Sequence, residues 1–119
     1  MADELSVSAR LTFGKSSASV KTAYNLQIDV TGDSYTKAVQ SVGITPEEIL
    51  TEHGDLATSG YVIVKNLDAT NYVEIGATTG VYTIKLLAGE IALWRHNSAN
   101  IYIIANTASC LVEYTIIEA

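Results

Sequence analysis

A strict alternation of apolar and polar residues is the feature that most constrains the fold of this chain. Apolar side chains occupy every second position from Leu5 to Phe13, and mostly polar side chains fill the positions between. Successive side chains of a β-strand point to opposite faces, so this pattern predicts a strand with one face in a core and the other in water. The alternation resumes from Leu26 to Val30, between turns predicted at 14–17 and 31–33.

The second half of the chain holds further short segments rich in Val, Ile, Thr and Tyr, each bounded by turn-forming residues. These segments are 61–66, 72–75, 81–87, 90–95, 101–105 and 111–117. A weaker strand is predicted at 35–44, with a β-bulge where the alternation slips near Ala38 and Val39. Eight or nine short strands at this spacing predict an all-β fold, a single antiparallel β-sandwich or jelly-roll-like barrel. We expect one domain spanning 1–119, with residues 1–4 as a flexible arm.

One segment has the pattern of a helix start. Thr45 suits the N-cap position, Pro46 suits the first helical position, and Glu47 and Glu48 would lie beside the positive end of the helix dipole. The sequence therefore predicts one short helical turn at 46–50.

Composition excludes several classes of partner. The chain has 7 basic and 13 acidic side chains, a net charge of −6, which would repel the phosphate backbone of a nucleic acid. Apolar residues make up 48% of the chain and charged residues only 17%, as expected of a compact domain. Neither a secretory signal nor a membrane span of ~18 apolar residues is predicted.

Residues with catalytic chemistry are few and scattered. His53 and His96 lack the spacing of a metal site, which needs at least three converging ligands. Cys110 is the only cysteine, so it can form no intrachain disulfide, and no general base stands near it in sequence. The pair Glu47 and Glu48 is explained by the predicted helix start. We therefore expect no enzyme, no catalytic residue, no metal and no cofactor.

Trp94 and Arg95 are the candidate interface residues. Large aromatic and guanidinium groups are enriched where proteins bind one another, because they bury area and anchor hydrogen bonds. In a strand, Trp94 would share one face with Ala92, whereas Arg95 would share the other with Ile91 and Leu93. Both faces thus carry apolar groups, and either an interface role or ordinary core packing is consistent with the pattern.

The second half also carries motifs that resemble a group of small virion structural proteins of tailed bacteriophages. In those proteins a strand ending in Asn leads through a turn to a V-x-I-G strand and then to an L-x-A-G-E turn. The matching segments here are 60–68, 71–76, 86–90, 101–105 and 111–117. The resemblance covers about half of the chain, and its motifs are structural, so it supplies no active-site residues.

The resemblance implies a virion component made in the host cytoplasm. A compact acidic sandwich suits the outer surface of the capsid, so we expect a decoration (cement) protein that binds the lattice of the major capsid protein and stabilises the head. We also expect a homo-oligomer, for which a trimer is one arrangement. The alternative is a tail, neck or fibre-associated virion protein with a glycan-binding role in host adhesion.

Overall fold

The computed structural model describes residues 4–30, 34–44, 48–49, 59–97 and 100–118. All regular secondary structure in these residues is β-strand, which confirms the all-β prediction. The strands are β1 (Leu5–Lys15), β2 (Ala18–Ile28), β3 (Tyr35–Val42), β4 (Glu48–Ile49), β5 (Ser59–Asn66), β6 (Val73–Gly76), β7 (Ile84–Leu86), β8 (Ile91–Arg95), β9 (Tyr102–Ala105) and β10 (Cys110–Glu118).

Contacts divide the chain into two compact units, Met1–Thr31 and Gly32–Ala119. The single domain expected over 1–119 stays a prediction. In the first unit, β1 and β2 form an antiparallel hairpin paired from Leu5 with Ile28 to Lys15 with Ala18.

The hairpin turn consists of Ser16 and Ser17. Ser16 has a φ of 54°, the left-handed conformation that two-residue hairpin turns require at one or both central positions. The turn predicted at 14–17 is thus present but shorter, and β2 begins eight residues before the predicted strand at Leu26.

The second unit contains two four-stranded antiparallel sheets, ordered β3-β10-β5-β8 and β4-β9-β6-β7. The strand pairs are nested. The first strand of the unit, β3, pairs with the last, β10, and inside this pair β4 pairs with β9, β5 with β8, and β6 with β7. This is the pairing of one long hairpin rolled across two sheets. It defines the sandwich as a jelly roll.

The core of the second unit lies between its two sheets. Inward-facing side chains alternate with outward-facing ones along each long strand, as the period of two requires. The buried members from both sheets are Val42, Val62, Val64, Val73, Ile75, Leu86, Ile101, Ile103, Ala105, Cys110, Val112, Tyr114 and Ile116.

Two local predictions are wrong. No helical turn is present at Glu48 and Ile49, which instead form β4 and pair with β9; the rest of 46–50 lies outside the described residues. The bulge predicted at Ala38 and Val39 is also absent, since β3 pairs with β10 without a shift in register. The apparent slip arises because polar Thr36 and Gln40 belong to the inward-facing row of β3, whereas apolar Val39 faces outward. The irregularity lies instead between β10 and β5, at 116–118.

Candidate functional site and interaction surfaces

The two candidate interface residues lie on opposite faces of β8. Trp94 faces inward, is half-buried and packs against the core, whereas Arg95 is exposed on the outer face of the sheet. The guanidinium of Arg95 lies 4.8 Å from the centroid of the Tyr61 ring, its cross-strand partner on β5, within the range of a cation–π contact. The two side chains therefore point to opposite faces of the sheet, although both residues line one small cavity at the end of β8.

Trp94 is connected to His96 rather than to a ligand surface. The Nε1–H of Trp94 donates a hydrogen bond to Nδ1 of His96 at 3.0 Å, and the rings meet edge to face with centroids 6.1 Å apart. Nε2 of His96 lies 2.7 Å from the carbonyl oxygen of Asn100. His96 is buried and both its ring nitrogens have partners, so it joins the end of β8 to the segment before β9.

A small cavity of about 200 Å³ lies beside this pair. Its polar lining comes chiefly from Thr83, Arg95, His96 and Asn97, and contains no carboxylate or thiol. General acid–base chemistry needs a proton acceptor that is free to reach a substrate, and both nitrogens of His96 are already engaged. The cavity therefore offers no catalytic pair.

Cys110 is buried at the start of β10. Burial raises the pKa of its thiol, and the negative charge of Asp68 raises it further. The Sγ–H donates to the carbonyl oxygen of Ala108 at 3.6 Å. Because the thiolate is the nucleophilic form, these surroundings suit an inert core residue.

Asn66 is completely buried at the end of β5. It contacts three of the segments that resemble phage virion proteins, namely 60–68, 71–76 and 86–90. Its side-chain Nδ2 donates to the carbonyl oxygens of Asn71, Leu86 and Leu87 at 2.9, 3.2 and 3.3 Å. Its Oδ1 accepts from the backbone N–H of Asp68 at 3.0 Å. One amide thus ties the end of β5 to the segment before β6 and to the end of β7, a junction that sequence reasoning missed.

The neighbouring loop is held by Asp68. Its carboxylate accepts hydrogen bonds from the backbone N–H of Asn71 at 2.7 Å and of Thr70 at 2.9 Å. These bonds hold the pKa of the Asp68 carboxyl below its ordinary value. The Asn-x-Asp pattern at 66–68 is the sequence signal for this arrangement, since such residues commonly bond to their own loop backbone.

Two glycines of the V-x-I-G and L-x-A-G-E motifs occupy positions where the backbone leaves no room for a side chain or adopts a positive φ. Gly76 ends the V-x-I-G segment, where an added Cβ would overlap the carbonyl oxygen of Val81. Gly89 has a φ of 79°, and the N–H of Glu90 bonds to the carbonyl oxygen of Leu87 at 3.0 Å, so 87–90 is a turn that needs glycine at its third position. The Glu90 carboxylate accepts from the N–H of Leu87 at 2.8 Å. These residues build the fold rather than a reactive site.

The outer face of the β3-β10-β5-β8 sheet is a candidate interaction surface. Its exposed apolar members, 36–69% accessible, are Tyr35, Val39, Ile63, Ile91, Leu93 and Leu111. Among them Lys37 forms an exposed ion pair with Glu113 at 3.5 Å, and a shallow cavity of about 170 Å³ lies beside it. We call this set the outer face. Its mixture of apolar groups and a few charges is typical of protein-binding surfaces.

The remaining chemistry-bearing residues add no site. His53 and Glu47 lie outside the described residues. Within the described ranges, no three or more His, Cys, Asp or Glu side chains are grouped so that they could hold a metal ion. No helix in the same ranges is long and apolar enough to cross a membrane.

The described residues form a small jelly-roll unit and a hairpin, and both present exposed apolar side chains. Comparison with models of protein families, with curated proteins and with solved structures found no match.

Proposed function

We propose that the chain is a bacteriophage virion structural protein, a capsid decoration protein that binds the outer surface of the major capsid protein lattice and stabilises the head. The biological setting comes from the resemblance of segments within 60–117 to small phage virion proteins. The observation that carries the binding role is the outer face, an exposed apolar surface on a four-stranded sheet. Jelly rolls recur in viral shells, an analogy of fold that supports the proposal without specifying a role.

Cementing follows from mass action. A protein that binds the assembled lattice, and not its dissociated subunits, stabilises the lattice by its binding free energy. Burying each half-exposed apolar side chain of the outer face contributes roughly 1 kcal/mol, and many symmetric copies multiply a modest contact. A high affinity of each single copy is therefore not needed.

The alternative role in host adhesion receives less support from Trp94. Sugar-binding aromatic residues offer an open ring face, whereas Trp94 is half-buried and its Nε1–H already donates to His96. Arg95 stacks on Tyr61 and is exposed, so it remains available to either kind of partner.

The test uses phage particles assembled without the protein. Purified wild-type chain is added, and bound protein and the temperature of DNA release are measured. We expect binding and a higher release temperature, with both reduced by Ile91→Asn on the outer face. Val81→Asn is the matched control, because Val81 is exposed to a similar extent (54% against 62%) but lies outside the outer face.

Absence of the protein from the shells, with an unchanged release temperature, would reject the decoration role. Equal losses for the two variants would reject the outer face as the contact surface. Binding of the isolated chain to host cells or glycans, without binding to shells, would favour the adhesion role instead.

A further inference from the structure

The N-terminal hairpin has one continuous apolar face. One face of the hairpin carries five apolar residues of β1, which are Leu5, Val7, Ala9, Leu11 and Phe13. The β2 residues paired with this row point to the same face. Those β2 residues are Ala18, Val20, Thr22, Tyr24, Leu26 and Ile28. We call these two sets together the apolar row. The opposite face is mainly polar, and there Ser8 Oγ–H donates to Asn25 Oδ1 at 2.6 Å.

The apolar row is exposed toward its turn, whereas at its open end Val7 is buried and Leu5 and Ile28 are half-buried. Its exposed large side chains are 41–68% accessible, namely Leu11, Phe13, Val20, Tyr24 and Leu26. Eleven residue pairs at ~3.4 Å per residue make a ribbon ~37 Å long. A two-stranded hairpin is only marginally stable in water without a surface to pack on. The row therefore has the properties of a contact surface.

Charge is separated along the hairpin. The acidic residues Glu4 and Asp29 lie at its open end, whereas Lys15 lies beside its turn, opposite Ala18 on the same face as the apolar row. Arg10 at mid-length and Lys21 nearer the turn lie on the opposite face, and no acidic residue occurs from 5 to 28. Residues 1–31 carry three acidic and three basic side chains, so the whole net charge of −6 belongs to 32–119. Two hairpins can therefore approach without net repulsion, unlike two copies of the second unit.

We propose that two copies of this chain associate through their hairpins, apolar row against apolar row, in an antiparallel two-fold arrangement. The antiparallel direction places the acidic open end of each hairpin beside the basic turn of its partner. A parallel stack would place like charges together. Two ribbons of equal length overlap fully in this arrangement, and stacked sheets pack ~10 Å apart, which buries both rows and leaves both polar faces in water.

The size of the contact sets its strength. Five half-exposed side chains offer on the order of 100 Å² each. Two hairpins therefore bury ~1,000 Å² in total, at the low end of specific interfaces. We expect a reversible dimer with a dissociation constant in the micromolar range rather than an obligate one. The inference goes beyond the proposed function and does not depend on it, because it concerns the purified chain alone.

The first test is analytical ultracentrifugation of the full chain at several concentrations in the micromolar range. We expect a monomer–dimer equilibrium that Leu11→Asn or Tyr24→Asn, each at the most exposed positions of the apolar row, weakens at least ~10-fold. Thr12→Asn and Ala23→Asn are the matched controls, because they make the same residue at adjacent positions on the opposite face. They should leave the dimer unchanged.

The second test exchanges charges and does not depend on the stability of the apolar variants. Lys15→Glu and Glu4→Lys should each weaken self-association, because each opposes like charges at both ends of the antiparallel pair. An equimolar mixture of the two variants should recover the dimer, since every opposed pair is then again of opposite sign. A parallel stack would also gain from mixing, but in it neither variant alone would associate more weakly than wild type, because the wild-type chain already opposes like charges at both ends.

A monomer at all concentrations would overturn the proposal, as would a dimer equally sensitive to substitutions on the two hairpin faces. A trimer, or a failure of the charge-exchanged mixture to associate better than either variant alone, would overturn the antiparallel two-fold arrangement. Loss of shell binding without loss of the dimer would instead reject only the proposed function.

Discussion

The Nε1–H of Trp94 donates to Nδ1 of His96 at 3.0 Å, and this contact determines which nitrogen of His96 carries the hydrogen. A neutral imidazole has one donor and one acceptor nitrogen. Because Nδ1 accepts from Trp94, Nε2 must carry the hydrogen, which it donates to the carbonyl oxygen of Asn100 at 2.7 Å. The histidine is thus a structural connector with no nitrogen left for catalysis.

The first prediction concerns this tautomer. Nitrogen-detected NMR should show a hydrogen on Nε2 of His96 and none on Nδ1, because both hydrogen bonds require this arrangement. His96→Phe should lower the free energy of unfolding by ~2 kcal/mol, since it leaves the Trp94 donor and the Asn100 acceptor without their partner. Tyr102→Phe, which removes only a long 3.4 Å contact with Asn100, should cost much less. An Nδ1–H tautomer would contradict the assignment.

The alternation of residues predicted the class of fold because it reports one local property, the face to which each side chain points. It placed Trp94 and Arg95 on opposite faces of β8, as the structure shows. It misread β3, where polar Thr36 and Gln40 lie in the inward-facing row and apolar Val39 faces outward. The helix start at 45–48 was wrong at Glu48 because a local cap signal cannot reveal pairing with β9, more than fifty residues away.

The parts that escaped prediction depend on contacts between distant segments. The nesting of β3 with β10 cannot be read from either strand alone. Asn66 gives no sign in the sequence that its amide will meet carbonyl groups twenty residues further along. The resemblance marked the segments around Asn66, Gly76 and Gly89, but the physical reason each residue is needed appears only when the loops are brought together.

The second prediction concerns the Asn66 junction. Asn66→Ala should reduce the free energy of unfolding by ~3 kcal/mol, because three carbonyl oxygens and one backbone N–H lose a buried partner. Asn66→Asp should be at least as destabilising, since a carboxylate keeps the shape but faces carbonyl oxygens without a donor. Urea unfolding followed by Trp94 fluorescence measures both.

Asn106→Ala is the control for Asn66. Its exposed side chain also accepts one backbone hydrogen bond, from the N–H of Tyr72 at 2.9 Å. We expect it to cost ~1 kcal/mol or less. Equal effects at the two positions would show that burial of the Asn66 amide is not important for stability.

The third prediction is a dependence of stability on acid pH at Asp68. The pKa of this carboxyl is lower in the folded protein than in the unfolded chain, because the Asn71 and Thr70 N–H groups bond to the charged form. Its stabilisation is therefore fully present above the unfolded pKa and is lost as pH falls through the folded pKa. The difference in unfolding free energy between wild type and Asp68→Asn should shrink over that range. A difference independent of pH between 2 and 6 would contradict this account.

The fourth prediction concerns alkaline pH and Cys110. Burial, with a further effect of Asp68, raises the pKa of this thiol in the folded state. The protonated thiol therefore contributes stability that is present below the unfolded pKa and is lost as pH rises through the folded pKa. The stability of wild type relative to Cys110→Ala should decline across that alkaline range. Iodoacetamide at pH 8 should react at least ~10-fold more slowly with folded than with urea-unfolded protein; equal rates would show that the thiol is accessible.

The fifth prediction concerns the glycine that ends the V-x-I-G segment. Gly76→Ala would place a Cβ against the carbonyl oxygen of Val81 and 3.1 Å from the Cα of Tyr82. Both are backbone atoms, so relief requires the chain at 81–82 to move and strains the bond from the Thr83 N–H to the Ile75 carbonyl oxygen at 2.9 Å. We expect a loss of ~2–3 kcal/mol in urea unfolding, the usual cost of overpacking. Gly14→Ala is the control, because a Cβ there meets no heavy atom within 4 Å. A Gly76→Ala protein as stable as the control would mean that this backbone approach is not maintained in solution.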